Sequence, residues 1–268
     1  MDSLPGLRAR ADRPPAAARD PLRVAGIESA IGSIEPALAA RMVAAGVPIA
    51  PFTDGWCVTG EPLNAALARI AEWLRAHGLA SAWRDELLSV NDASGTSVAV
   101  IERAAVRPLG IATQAVHLVG WAEQGGVWVQ QRALDKATDP GQWDTLMGGL
   151  VSAIETIAAT LARETWEEAG LRLDQLRHVT ARRRLTVRRP VSDGYMIEHI
   201  HVFEAVIPAG LAPLNQDGEV AAFERLSLEA LRERLHAGAF TLEAALILAD
   251  SCLGSFHPMT DPFQESSP

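Results

Sequence analysis

The sequence predicts an α/β (α+β) protein, with a smaller, mostly helical unit ahead of a larger unit of strands and helices. Three stretches predict this. Residues 154–169, inside GLVSAIETIAATLARETWEEAGL (Gly149–Leu171), lack Gly and Pro and are rich in Ala, Leu, Glu and Arg, which reads as a helix. Residues 115–132 alternate like strands about Gln124-Gly125-Gly126. Residues 35–45 and 63–76 carry helical spacing in the N-terminal third.

In chain order, residues 1–23 are polar and rich in Arg, Pro and Ala and read as a flexible lead-in without a signal-peptide core. The first ordered unit is expected from residue 24 to 112. It has helices over 35–45 and 63–76, the latter burying Ile70, Trp73 and Leu74. Pro48 to Phe52 reads as an extended connector, Trp83 to Leu88 as a short helix and Val98 to Ala105 as a strand. His77, Asp85 and Glu86 read as surface or packing residues.

The second unit is expected over 113–256, with a tail from 257 to 268. Its hairpin leads into the polar loop Ala133–Trp143, which is broken by Pro140-Gly141 and free to reach a ligand. Arg132 and Lys136 are the cations best placed there to meet a diphosphate, the alternative being two solvated charges. A strand over 146–151 delivers Gly148-Gly149, where a missing side chain permits close backbone approach. The Arg-rich stretch 176–189 pairs with 196–207. Its alternation leaves an arginine face, either for an anion or simply solvated. A strand at 221–226 and helices at 227–236 and 241–253 follow, the last with a core face of Leu242, Ala245, Leu246, Leu248 and Ala249.

The central helix carries the chemistry. Ser152 with Glu155 has the spacing of a capping box, and Gly170 stands where a helix stops. Ile154, Ile157, Ala158, Leu161 and Thr165 form the face expected to dock on a sheet. Glu164, Glu167 and Glu168 project together as a like-charged cluster, with Arg163 beside it. An all-oxygen set of that kind suits Mg²⁺, or Mn²⁺, rather than Zn²⁺.

Written as a pattern, the stretch is G-x5-E-x7-R-E-x-x-E-E-x-G-L, from Gly149 through Glu155, Arg163-Glu164 and Glu167-Glu168 to Gly170-Leu171. It resembles the Nudix box of the Nudix hydrolases. Thr165 is the one departure, where an aliphatic residue is usual. The resemblance implies an α/β/α sandwich with a mixed sheet and hydrolysis of an organic diphosphate. It further implies metal-binding and catalytic roles for Glu164, Glu167 and Glu168, a metal or bracing role for Glu155, and a holding role for Arg163. Gly149 would lie against the phosphates. A late-loop carboxylate often joins such sites; Glu219 in QDGEV fits that part, Asp217 less well, and Glu164 or Glu219 would take the proton from water. The N-terminal order also resembles the extension in proteins related to the Nudix half of fungal thiamine pyrophosphokinase fusions, where it helps build the pocket. That implies thiamine diphosphate, or an altered form of it, as substrate, with Trp56, Trp83 and Tyr195 as candidate ring-stacking residues. Nucleoside-diphosphate-linked substrates such as NADH or ADP-ribose, and a non-catalytic sensor module, are the alternatives. An isopentenyl-diphosphate isomerase of this fold uses a cysteine ahead of the box inside the domain, whereas Cys57 and Cys252 lie elsewhere.

Composition limits the remaining classes. A chain of 268 residues, 48% hydrophobic and 21% charged, buries a large core. A net charge of −9 offers no basic surplus for a nucleic-acid backbone. Two distant cysteines fit a reducing cytoplasm, and no apolar run spans a bilayer. The family resemblance makes a homodimer one arrangement open to the chain, and the sequence does not select the oligomeric state.

Overall fold

The computed structural model describes residues 4–60, 62–80 and 83–253. The elements are α1 (Leu4–Ala11), β1 (Asp20–Val24), β2 (Gly32–Ile34), α2 (Pro36–Ala44), β3 (Ile49–Phe52), β4 (Gly55–Val58), α3 (Leu63–Ala76), β5 (Leu87–Asn91) and β6 (Ser97–Glu102). There follow β7 (Ala112–Ala122), β8 (Val127–Arg132), β9 (Trp143–Asp144), β10 (Met147–Leu150) and α4 (Ile157–Ala169). The chain continues with β11 (Arg177–Val191), β12 (Gly194–Ile207), β13 (Val220–Leu226), α5 (Leu228–His236) and α6 (Leu242–Leu253).

The larger unit is a mixed sheet in the order β11-β12-β7-β8-β13, with β10 added to β7 and β9 to β8. Because β12 runs parallel to β7 while β11, β8 and β13 pair antiparallel, the sheet is mixed. Helices cover both faces. One face holds Val119, Val129, Ile200 and Val202 under α5, α6 and α1. The other holds Val116, Leu118, Ala205 and Ile207 under Leu161 and Ala169 of α4. Double coverage explains why β7 reads as an almost unbroken apolar run, buried from Ala115 to Gly120.

The smaller unit is a helix/sheet assembly. A four-stranded sheet β2-β1-β4-β3 and the hairpin β5-β6 pack with α2 and α3 around Leu22, Ile34, Met42, Leu67, Ile70 and Leu74. Both predicted helices form; Trp73 is only partly buried and stacks on His77. Pro48–Phe52 is not a mere connector: β3 pairs with β4 from Ile49–Val58 to Phe52–Gly55. The short helix expected over 83–88 does not form. Asp85 sits at φ 56° and the chain enters β5 at Leu87, paired to Glu102. Local helix propensity is overruled there by the β5–β6 ladder, which buries Leu88 and Val90.

The expectation of a flexible segment over 1–23 is also corrected for its described part. Helix α1 packs Leu7 and Ala11 into the core beside α6. Asp12 accepts from Arg188 on β11, and Asp250 of α6 accepts from Arg8. Tyr195 donates its hydroxyl to the Arg13 carbonyl at 2.9 Å, and Arg19 donates to the carbonyls of Ser33 and Pro108 at 2.6 Å. The weak amphipathicity of LPGLRARA hides this docking, because only two apolar side chains are inserted. The predicted tail from His257 lies outside the described residues. Leu7→Ala should therefore destabilise the whole protein by about 2–3 kcal/mol, read as a lower denaturant midpoint at constant slope. An unchanged midpoint would mean that α1 does not dock.

Candidate active site

The site lies where the sheet forks. One edge of β7 is taken by β12, so β8 and β10 share the other: Gly120–Trp121 pair with β8, whereas Ala115–Leu118 pair with β10. Between the two branches opens a cleft of about 640 Å³. Helix α4 forms one wall, the loops after β8 and before β13 form the opposite wall, and the N-terminal unit closes one side.

Helix α4 starts later than the sequence suggested. Thr156, not Ser152, is the N-cap and accepts from Ala159 N–H at 3.1 Å. Ser152 instead reaches Glu155 at 3.4 Å. Ile154 thus falls in the preceding loop and is 96% exposed, and Ala158 is also exposed; Leu161 and Thr165 make the docking face. The departure at Thr165 is harmless, because its hydroxyl donates to the Leu161 carbonyl at 2.6 Å and the residue is fully buried. Gly170 ends the helix at φ 62°, and a Cβ there would stand 2.4 Å from the Leu214 carbonyl. That contact has a purpose. Leu214 N–H and Gln216 N–H donate to the Ala169 and Glu167 carbonyls at 2.8 and 3.0 Å, so the helix end fixes the loop that carries Glu219.

Arg163 organises the acidic side chains. Its guanidinium donates to both oxygens of Glu155 at 2.7 and 2.8 Å, to Glu164 at 2.9 Å and to Glu167 at 2.8 Å. Hydrogen bonding from Arg163 holds the Glu155 carboxyl below the usual range, and Thr160 and Ser152 add to it. With both oxygens so engaged, Glu155 braces Arg163. Glu168 is the buried member of the set. Gln130 donates to it at 2.8 Å and Gly148 N–H at 2.9 Å. Burial raises its carboxyl to about 8 and that of Glu164, despite Arg163, to about 7. Gly149 permits this packing: a Cβ would lie 2.2 Å from the Glu164 carboxyl carbon.

Across the cleft, Lys136 forms an ion pair with Glu219. Burial acts to raise the Glu219 carboxyl, and Lys136, Arg84 and Arg103 outweigh it, so the group lies below its ordinary range. Arg132 donates to the Thr138 carbonyl and faces Asp144 at 3.6 Å. His117 meets the Thr145 hydroxyl at 2.9 Å and is kept neutral by burial. Every residue expected at the site (Arg132, Lys136, Gly149, Glu155, Arg163, Glu164, Glu167, Glu168 and Glu219) borders this one cleft, and Asp217 borders it too. The stacking candidates do not. Trp56 bonds Asp20, Trp83 lies under Arg75 and bonds Asp85, and Tyr195 bonds Arg13. The sheet's arginine face is largely paired as well: Arg182 to Glu204, Arg183 to Asp250, and Arg188 to Asp12.

The sequence did not disclose the remaining wall. Arg84, Glu86, Arg103 and Arg107 reach the cleft from the N-terminal unit, and Glu198, Arg189 and Glu243 reach it from β12, β11 and α6. Glu86 is paired with Arg103 at 2.8 Å and is not a surface residue of no consequence. These residues come from elements spread between positions 84 and 243, so no local spacing announces the group.

Among the described residues, no three acidic, histidine or cysteine side chains already stand at ligating distance from a common point. The chemistry of the donor set nonetheless fits a hard divalent cation. Glu164 and Glu168 are carboxyls held at raised pKa by burial beside Glu167, and a cation there would relieve the repulsion that Arg163 only partly offsets.

Two predictions follow from this geometry. Both carboxyls have folded-state pKa values above the ordinary 4.5, so they favour the folded protein fully only below that value. Their contribution is lost as pH rises through about 7 and 8. Metal-free protein should melt at a lower temperature at pH 8.5 than at pH 5.5, and added Mg²⁺ should recover the loss at the higher pH. A flat profile would contradict the assigned burial. Gly149→Ala should displace Glu164 and lower Mg²⁺ affinity by about tenfold or more, measured by calorimetry, while circular dichroism stays unchanged.

Comparison with known proteins agrees with this geometry. The NUDIX domain matches residues 112–246, half of the chain. Nudix hydrolase 24, chloroplastic, of Arabidopsis thaliana is 32% identical over 174 residues, covering 61% of this chain and 46% of the plant protein. An isopentenyl-diphosphate Delta-isomerase of Rhodobacter capsulatus is 36% identical over 113 residues, covering 41% of this chain and 62% of its own. The chain spans about half the length of the plant relatives it matches. DR0079 from Deinococcus radiodurans shares the fold with a TM-score of 0.50 at 23% identity, over 62% of this chain and 99% of that one. No helix among the described residues is long and apolar enough to cross a membrane. A sheet forked around a carboxylate-lined helix, with the box in register and the domain matched over half the chain, makes this protein a member of the Nudix hydrolase family.

Proposed function

We propose that the chain is a Mg²⁺-dependent hydrolase that cleaves the diphosphate linkage of an organic diphosphate. The observation that supports it best is the arrangement across the cleft: Glu164, Glu167 and Glu168 on α4 face Lys136 and Glu219, with Arg163 holding the acidic side in place. Glu164, Glu167 and Glu168 would hold the cation, Mn²⁺ serving as well. When bound, it would offset charge developing on the phosphoryl oxygens.

The chain's own groups do the rest. Lys136 and Arg132 bind non-bridging phosphate oxygens from the loop side. Once Lys136 turns to a phosphate, Glu219 loses the partner that keeps its pKa low. Its carboxylate is then free to accept the proton from the attacking water. Glu164 is the second candidate for that proton. Gly148 and Gly149 let the diphosphate approach the floor of the cleft. Glu155 keeps Arg163 in position.

The organic group occupies the inner half of the cleft. Thiamine diphosphate stays in the reading because the N-terminal unit contributes Arg84, Arg103 and Arg107 to the wall, as the resemblance to the fusion proteins implies. A nucleoside diphosphate linked to another group is the second candidate, given the family's usual chemistry. The isomerase reading is disfavoured, since no cysteine falls within residues 112–246 and Cys57 lies on β4, away from the cleft.

The test is phosphate and monophosphate release from thiamine diphosphate, ADP-ribose, NADH and nucleoside triphosphates with Mg²⁺. Glu167→Gln and Glu219→Gln should each lower kcat by about 100-fold or more while the fold is retained. Turnover confined to the nucleotides would remove thiamine diphosphate. Full activity of Glu167→Gln would defeat the metal assignment, and no release at all would favour a sensor module.

A further inference from the structure

Where β12, α6 and the N-terminal unit line the cleft, one carboxylate stands without an ion pair among the described residues. Glu198 lies on β12 and lines the cleft beside Ala115 and Met196. Other carboxylates of this wall are matched: Glu243 by Arg189 at 3.2 Å, Asp144 by Arg132 at 3.6 Å, Glu86 by Arg103 at 2.8 Å. Glu198 has no ion pair among the described residues. Its sole hydrogen bond there is a long one, 3.4 Å, from the Thr113 hydroxyl, which also reaches the Ile197 carbonyl at 3.3 Å. The nearest basic side chains are committed, Arg107 to Asp193 and Arg103 to Glu86.

An acidic group inside a cleft, short of donors, is a site for a donor. Burial first, and Glu243 second, hold its carboxyl up at about 7, against the pull of Arg107 and Arg103. No tryptophan, tyrosine or phenylalanine lines this cleft among the described residues, so stacking does not select the organic group. Polar contacts must do so.

We infer that Glu198 is a specificity-determining residue that binds an amino group, or the amine-bearing edge of a nitrogen heterocycle, on the organic part of the diphosphate substrate. This deepens the proposed function and rests on it for the diphosphate half of the ligand. An amino-azine presents an N–H₂ donor next to a ring-nitrogen acceptor. A carboxyl that is ionised accepts from the amine, and one that is protonated also donates to the ring nitrogen. Replacing the amine by hydrogen removes that donor and leaves the carboxyl oxygen unmatched inside the cleft.

The experiment compares ligand pairs that differ by the amino group alone: thiamine diphosphate against its deamino analogue, and ADP-ribose against its purine-riboside counterpart. Dissociation constants are measured by calorimetry for the wild type and for Glu198→Leu, with circular dichroism and melting as fold controls. The wild type should favour the amine-bearing member of at least one pair by about 10- to 100-fold. Glu198→Leu should bring that preference close to parity, and Glu198→Gln, whose amide oxygen still accepts and whose amide N–H still donates, should keep part of it. Equal affinities in both pairs, a preference that survives Glu198→Leu, or failure of both amine-bearing ligands to bind would overturn the inference. Phosphate release is followed in parallel. Absent turnover with a Glu198-dependent preference would sink the hydrolase reading and leave this one standing, and turnover without preference would do the reverse.

Discussion

The candidate site depends on a single cation held among like charges. Three carboxylates of α4 and Glu155 stand close together, and in isolation they would repel one another and fray the helix. Arg163 binds Glu155, Glu164 and Glu167 with both arms of its guanidinium. Its planar fork makes this possible; a lysine would offer a point charge without the fixed geometry. Glu155 is the counterweight, fixed by Ser152, Thr160 and the arginine, so the loop before α4 and the helix itself are tied as one piece.

Glycines supply the room that this charge network needs. Gly149 lets Glu164 pack against the β10 backbone, and Gly148 lies on the ring of His117 while its N–H donates to Glu168. The same strand therefore forms part of the sheet, donates to a buried carboxyl and lines the cleft. At the far end of α4, Gly170 clears space for the 211–219 loop, whose N–H groups bind the last helical carbonyls. Helix termination and the placement of Glu219 are thus a single event.

The N-terminal unit is joined to this core by polar and apolar contacts and not by a linker alone. Arg19 bridges β2 and the turn before β7, Tyr195 N–H donates to the Arg107 carbonyl, and Ala153 N–H donates to the Leu87 carbonyl. The last of these ties the β5 hairpin to the loop that leads into α4. Arg107 of the second contact lines the cleft, as do Glu86 and Ser152 next to the third, so the unit forms part of the wall that Glu198, Arg103 and Arg107 share. Under the proposed function, discrimination between organic groups would be a property of both units, whereas the phosphate chemistry would belong to the sheet and α4.

Local pattern determined much of this protein. The helical run with Arg163, Glu164, Glu167 and Glu168 is legible because the i, i+3 and i+4 spacing by itself places those side chains on one face. The hairpin around Gly125-Gly126, the α3 boundaries and the core face of α6 follow likewise from period and turn residues. What failed was decided by contacts distant in sequence. Helix-like residues 83–88 yielded to the β5–β6 ladder, Ser152 lost the cap to Thr156, and the polar N-terminal stretch was docked by Leu7 and Ala11. The cleft's inner wall was illegible for the same reason. Arg84, Arg103, Arg107, Glu198 and Glu243 are ordinary surface residues as letters, and only the folding of β12 and α6 beside the N-terminal unit brings them to one cavity.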